Sequence, residues 1–110
     1  MAVDDDRIST LRAMVAEDDT NELAVFSLGQ ALFEAGDFAA AEPWFARAAH
    51  LQDDLMMAWL RRAECLVRLG RADEARPCAE RGLHLAVAQK HDGPLADAEE
   101  LLEEIEDAGA

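Results

Sequence analysis

The chain has 110 residues, the length of one ordinary domain, and its 24 acidic and 10 basic residues give a net charge of -14. This charge argues against nucleic acid or an anionic membrane as a partner, because phosphate groups are bound by clustered Lys and Arg. The 51% hydrophobic content predicts a folded chain. No long uncharged apolar run is present, so we expect a cytoplasmic protein without a membrane span.

A flanking helix is predicted over residues 4–18. Its apolar stripe consists of Ile8, Leu11, Met14 and Val15. Asp4, Asp5 and Asp6 suit its beginning, because carboxylates stabilise the N-terminal end of a helix. Leu11 precedes Phe45 by one full period of the internal repeat that follows, so the two hold the same place in successive units. We therefore interpret this helix as the second half of a repeat.

An internal repeat follows the flanking helix. When the chain is aligned against itself so that Ala24 falls on Ala58, eight identities align without a gap. They include Gly36 with Gly70 and Pro43 with Pro77. The repeats cover residues 22–55 and 56–89, and each is predicted to form two helices around its glycine. Asp37 is predicted to cap the second helix of the first repeat.

The sequence His91-Asp92-Gly93-Pro94 interrupts the helical pattern, and a last helix is predicted over residues 94–107, with Pro94 suited to its first position. Its inward stripe consists of Leu95, Ala98, Leu101, Leu102 and Ile105. The other face is acidic, which is typical of a terminal capping helix that must face solvent. We expect the apolar stripe to pack on the helix before it.

The repeats resemble the tetratricopeptide repeat (TPR) family. The first repeat has the family's spacing at Val25, Leu28, Gly29, Leu32, Gly36, Phe38, Ala41, Phe45 and Ala48. The second has it at Trp59, Ala63, Leu66, Gly70, Ala75, Ala79 and Gly82, with Arg62 where the family has Leu. The resemblance implies an all-α fold, a short right-handed α-solenoid of helix-turn-helix repeats with a C-terminal capping helix. We expect Gly29 and Ala63 to meet Ala41 and Ala75 at close helix crossings.

A narrower resemblance concerns the small acidic chaperones of type III secretion translocators. It is carried by residues 63–66, Ala-Glu-Cys-Leu, together with Gly70, Ala75 and the acidic C-terminal helix. This resemblance implies a small secretion-type chaperone as one alternative function.

The first helix of each repeat has a second apolar face besides the one that packs within the repeat. In the TPR architecture this face lines a concave groove. The predicted groove residues are Leu23, Phe26, Gln30 and Phe33, then Met57, Leu60, Glu64 and Val67, with Arg61 and Arg68 at the border. Two interpretations stay open: the groove binds a peptide or helix, or flanking helices or a second copy of the chain cover it. The carboxylate-clamp branch of the family has a basic residue where this chain has Phe26, so a chaperone-tail ligand of that type is not expected.

Catalytic chemistry is not predicted. The sequence has no glycine-rich phosphate loop and no recognisable arrangement of a nucleophile with a base. Cys65 and Cys78 are predicted to be buried, unreactive thiols, and His50 and His84 to be surface residues rather than metal ligands. We expect no enzyme activity, no cofactor and no metal.

The predicted function is a protein–protein interaction module, an adaptor that binds a peptide or helix of a partner in a largely apolar concave groove. The alternatives are a self-assembling homodimeric structural unit and the small secretion-type chaperone. We expect a protein or peptide partner, and neither nucleic acid nor a membrane.

Overall fold

The computed structural model describes residues 2–109, with side chains from Asp6 onward. Within this part the chain forms only helices, which confirms the predicted all-α class. In chain order they are α1 (Ala2–Glu17), α2 (Glu22–Glu34), α3 (Phe38–Leu51), α4 (Met56–Arg68), α5 (Ala72–Gln89) and α6 (Asp92–Gly109). The predicted role of Asp4 and Asp5 at the start of α1 concerns side chains outside the described residues.

One glycine ends the first helix of each repeat. Gly36 and Gly70 have φ angles of 82° and 75°, a left-handed conformation that is costly for residues with a Cβ atom. After α2, the N–H of Gly36 donates to the Phe33 carbonyl at 2.9 Å, and the N–H of Asp37 donates to the Leu32 carbonyl at 3.0 Å. This pair of bonds is the Schellman motif, and it places the turn where the sequence predicted it.

Side chains cap both helices of the first repeat. Asn21 Oδ1 accepts a hydrogen bond from the Ala24 N–H at 3.2 Å at the start of α2. Asp37 Oδ1 accepts one from the Ala40 N–H at 3.1 Å at the start of α3, which confirms the predicted cap. Each cap satisfies a backbone donor that has no partner inside its own helix.

The helices pack as two hairpins with a helix at each end. α2 packs on α3 and α4 on α5, while α3 joins the two hairpins by packing on α4. α1 lies against α2, and α6 lies against α5 and also contacts α4. The resulting stack measures 40 × 27 × 21 Å.

The hydrophobic core has one part for each repeat. The first surrounds Phe45 and Leu28, and Val15 of α1 contributes to it. The second surrounds Leu66 and Ala79 and includes three buried residues of α6, namely Ala98, Leu101 and Ile105. The predicted packing of the C-terminal stripe on α5 is therefore confirmed, and α6 completes the second core.

Candidate peptide-binding groove

Four predicted groove residues come together where α2 lies beside α4. Arg61 Nε donates to Gln30 Oε1 at 3.3 Å, and Arg61 Nη1 lies 3.3 Å from Glu64 Oε1. The guanidinium carbon of Arg61 is 5.1 Å from the centre of the Phe33 ring. Such a cation–π contact holds the guanidinium over the ring face. Arg61 therefore bridges the first helices of the two repeats and covers part of the predicted apolar stripe.

A cleft of about 220 Å³ lies between α4 and α6. It is lined by Arg61, Glu64, Val67 and Arg68 from α4 and by Asp97, Glu100, Leu101 and Glu104 from α6. Four predicted groove residues thus share one recess, and α6 supplies its second wall.

The α6 residues of this cleft are not among the predicted groove residues, because the sequence predicts that Leu101 faces inward and that the acidic residues face solvent. The helical spacing of Asp97, Glu100 and Glu104 places them in one row on α6. That row runs beside the apolar stripe, and this pattern was the available signal for an acidic wall.

A second recess, of about 270 Å³, opens near the beginning of α2. Leu23, Phe26 and Leu55 supply its apolar side chains, and Glu22 and Gln52 complete its lining. Leu23 is 72% exposed, more than the other large hydrophobic residues found at the surface. This recess is the more apolar part of the candidate site.

The aromatic residues of α2 belong partly to the core. The Phe26 and Phe33 rings are half-buried and meet the Phe45 ring edge-on, with centroids 5.5 and 6.2 Å apart. Phe33 also packs edge-on against Phe38 at 5.3 Å. Edge-to-face pairs of this kind stabilise the fold beyond the burial of area alone. These side chains therefore present one edge to the surface and the rest to the core.

Leu60 does not line the surface, and its predicted place in the groove is wrong. Only 2% of it is exposed, because it packs against Gly82 of α5. A Cβ atom at Gly82 would overlap the Leu60 side chain, so the missing side chain is what allows Leu60 to enter the α4–α5 interface. Met57 is half-buried and also packs against the second core.

The cysteines are buried and unpaired, as predicted. Desolvation by burial raises the pKa of Cys65 to about 12, and the nearby Glu64 adds to the effect. Burial also raises the pKa of Cys78. Because the thiolate is the nucleophile and metal-binding form, both side chains are held in an unreactive state at neutral pH.

The remaining candidates for chemistry lie apart from the cleft. His50 and His84 are exposed, as predicted. Among the side chains of residues 6–109, His, Cys, Asp and Glu form no group that could hold a metal ion. None of the helices in this range is long and apolar enough to cross a membrane.

Solved structures of similar shape include translocator chaperones and TPR domains. The type III secretion translocator chaperone SycD of Yersinia enterocolitica has 18% identity and a TM-score of 0.88, over 96% of this chain and 73% of SycD. PcrH, solved with the chaperone binding region of PopD, has 23% identity and a TM-score of 0.90, over 99% of this chain and 83% of PcrH. The first TPR of Spaghetti (RPAP3), bound to the HSP90 peptide SRMEEVD, has 24% identity and a TM-score of 0.83, over 97% of this chain and 80% of that TPR chain. These likenesses establish the fold.

Sequence comparison supplies the family. No curated protein sequence is similar enough to count as a relative. The family model described as Tetratricopeptide repeat matches residues 8–55 and 26–86, which together cover most of the chain. With the glycine turns, the two helical hairpins and the shared fold, this match shows that the chain belongs to the tetratricopeptide repeat family.

Proposed function

We propose that this protein binds a peptide or helical segment of a partner protein on the surface formed by α2, α4 and α6. We call it the α2–α4–α6 surface and define it by the apolar recess at Leu23, the Gln30–Arg61 bridge and the α4–α6 cleft. The observation that carries the proposal is this bridge, because it joins the helices that supply the two recesses. An apolar recess next to oriented polar groups is the usual composition of a peptide site.

Proteins of the same fold support this class of function. PcrH is solved with the chaperone binding region of PopD, SycD with a peptide of the translocator YopD, and the first TPR of Spaghetti with an HSP90 peptide. Each of these proteins holds a segment of another protein. Because a fold alone does not determine function, the proposal for this chain depends on its own surface residues.

A homodimer is the alternative occupant of the same surface. A second copy of the chain would cover Leu23 and the neighbouring recess, and the partner segment would then be excluded. Light scattering on the purified chain at several concentrations separates a monomer from a stable dimer. A monomer leaves the surface accessible to a partner.

The test of the proposal is a selection of short random peptides displayed on phage against the purified chain. The peptides recovered are then measured against Leu23→Glu, which changes the exposed residue of the apolar recess. The matched control is Val87→Glu, since Val87 is 59% exposed on α5 and lines neither recess. We expect Leu23→Glu to weaken binding at least about tenfold, a loss of about 1.4 kcal/mol, and Val87→Glu to leave it nearly unchanged.

Two results would overturn the proposal. One is that no peptide is recovered by the folded monomer. The other is that the recovered peptides lose affinity equally in Leu23→Glu and Val87→Glu. Circular dichroism of both variants serves as the folding control, and we expect each to keep the helix content of the parent.

A further inference from the structure

We propose that the partner segment is basic and that a Lys or Arg side chain of it enters the α4–α6 cleft. This inference rests on the proposed function and specifies the chemistry of the partner. Val67 and Leu101 supply the apolar lining of the cleft, and Asp97, Glu100 and Glu104 supply one acidic wall. An amphipathic segment with a cationic side chain beside an apolar one matches this arrangement.

The acidic wall lacks compensation within the described chain. Among residues 6–109 no ion pair reaches Asp97, Glu100 or Glu104. On the same helix, Glu106 is paired, with one carboxylate oxygen 3.3 Å from Arg76 Nη1. Like charges three and four residues apart on a helix repel one another, so the row reduces the stability of α6. A bound cation would relieve that repulsion.

The two arginines of the cleft leave the wall acidic. Arg61 is paired with Glu64 and lies over the Phe33 ring, so its charge is already matched. The guanidinium carbon of Arg68 lies 5.8 Å from the centre of the Phe38 ring of α3. With Arg61 matched by Glu64, Arg68 is the one remaining guanidinium in the lining against the three carboxylates of α6, so the excess charge of the cleft is negative.

The charge of the whole chain acts in the same direction. The net charge is -14, and the segment after Lys90 has eight acidic residues and no basic one. A negative field of this kind attracts cationic segments and repels acidic ones during diffusional encounter. The peptide SRMEEVD bound by the first TPR of Spaghetti has more acidic than basic residues. We infer a partner of the opposite charge for this chain.

The test uses the peptides selected on the parent chain and two charge-matched variants. Glu100→Gln with Glu104→Gln neutralises two carboxylates of the cleft. Glu99→Gln with Glu103→Gln neutralises two exposed carboxylates with the same spacing on the same helix, and neither lines the cleft. Both variants have the same net charge and the same relief of repulsion between like charges on the helix.

We expect the selected peptides to be rich in Lys and Arg, with Leu or another large apolar residue nearby. Glu100→Gln with Glu104→Gln should weaken the binding of these peptides at least about tenfold. The control, Glu99→Gln with Glu103→Gln, should weaken it by less than about threefold. Affinity for the parent should also fall as salt is raised, because exposed charges are screened.

The outcomes separate the two proposals. Peptides that depend on Leu23 but show no excess of Lys and Arg would overturn the basic partner and leave the proposed function standing. Basic peptides weakened equally by both charge variants would also overturn the cleft as their site. Recovery of no peptide would overturn the proposed function, and the basic partner with it.

Discussion

In each repeat a glycine on one helix accommodates a large side chain from the other helix, and the two repeats place these residues on opposite helices. In the first, the glycine is on the first helix, and a Cβ atom built on Gly29 would lie 3.1 Å from the Phe45 ring of α3. In the second, the glycine is on the second helix, where Gly82 of α5 accepts Leu60 of α4. The positions that correspond to Gly29 and Phe45 are Ala63 and Ala79, and both are fully buried.

This reversal changes which side chains reach the surface. Phe26 and Leu60 hold the same place in the first and the second repeat. Phe26 stays half-buried because Phe45 already fills the interior beneath it, with ring centroids 5.5 Å apart. Leu60 turns inward because Gly82 leaves room for it. The repeat spacing in the sequence gives Phe26 and Leu60 the same position on their helices. The residue on the facing helix decides whether the side chain at that position is buried in the core.

The largest expected effect separates these two equivalent positions. Leu60→Ala should lower the free energy of unfolding by about 2–5 kcal/mol, because it removes a fully packed side chain and leaves a cavity. Phe26→Ala should cost clearly less, since its ring is partly in solvent. Urea denaturation of both variants measures the difference. A larger loss for Phe26→Ala would contradict the reversed packing.

A second experiment tests whether Gly82 is the cause. Gly82→Ala should destabilise the chain by about 1–3 kcal/mol through overpacking, although alanine favours the helix by about 1 kcal/mol. Combined with Leu60→Ala, it should cost less than the sum of the two single changes, because the truncated side chain no longer meets the new methyl group. Additive free energies in this double-mutant cycle would show that the two residues do not interact.

The junctions between helices differ as well. Glu42 of α3 is 9% exposed, and its Oε2 lies 2.9 Å from Nε of Arg62 on α4. The equivalent positions one repeat earlier are Ile8 and Leu28; Leu28 lies in the first hydrophobic core, and Ile8 is half-buried against it. An ion pair therefore joins α3 to α4 where apolar residues join α1 to α2. Arg62, which departs from the family pattern, has its partner in this carboxylate.

Removal of Arg62 from the ion pair with Glu42 should lower the free energy of unfolding. Arg62→Leu leaves the Glu42 carboxylate mostly buried without its cation, and we expect a loss of about 1–2 kcal/mol, below the cost for a fully buried pair. Adding Glu42→Ile copies the residues of the first junction and should recover most of that loss. Thermal unfolding monitored by circular dichroism gives both values. A double variant less stable than Arg62→Leu would contradict this account.

The sequence predicted the helices and turns well because their causes are local. Gly36 and Gly70 end their helices through backbone geometry that few other residues adopt easily, and Asp37 caps α3 with its own side chain. The apolar stripe of α6 predicted its buried face, although the helix begins at Asp92 and ends at Gly109, beyond the predicted 94–107. Helix ends depend on the surrounding contacts and are less sharply determined.

The candidate site was harder to predict because it depends on residues distant in the sequence. The orientation of Leu60 is decided by Gly82 on another helix, and the side chain nearest to a Cβ atom built on Gly29 is that of Phe45. The acidic wall becomes part of a cleft only once α6 packs beside α4. Periodicity along one helix contains none of these pairings.

A last comparison concerns the turns that end α2, α4 and α5. Lys90 ends α5 with φ 59°, where Gly36 and Gly70 end the first helices. The hydrogen bonds are of the same kind, since the His91 N–H donates to the Ala86 carbonyl at 3.0 Å. A side chain in this conformation costs about 1–2 kcal/mol, which glycine avoids. The turn after α5 therefore has the same shape with a less suitable residue.

Lys90→Gly should stabilise the chain by about 0.5–1 kcal/mol, because the relief of strain exceeds the greater freedom that glycine gives the unfolded chain. The matched control is Gly70→Lys, which places the same side chain in the corresponding turn after α4 and should destabilise the chain by a similar or larger amount. Urea denaturation midpoints measure both changes. If Lys90→Gly instead lowered the midpoint, the Lys90 side chain would have to stabilise the fold by more than its backbone strain costs. The turns after α4 and α5 would then be equivalent in geometry and different in energetics.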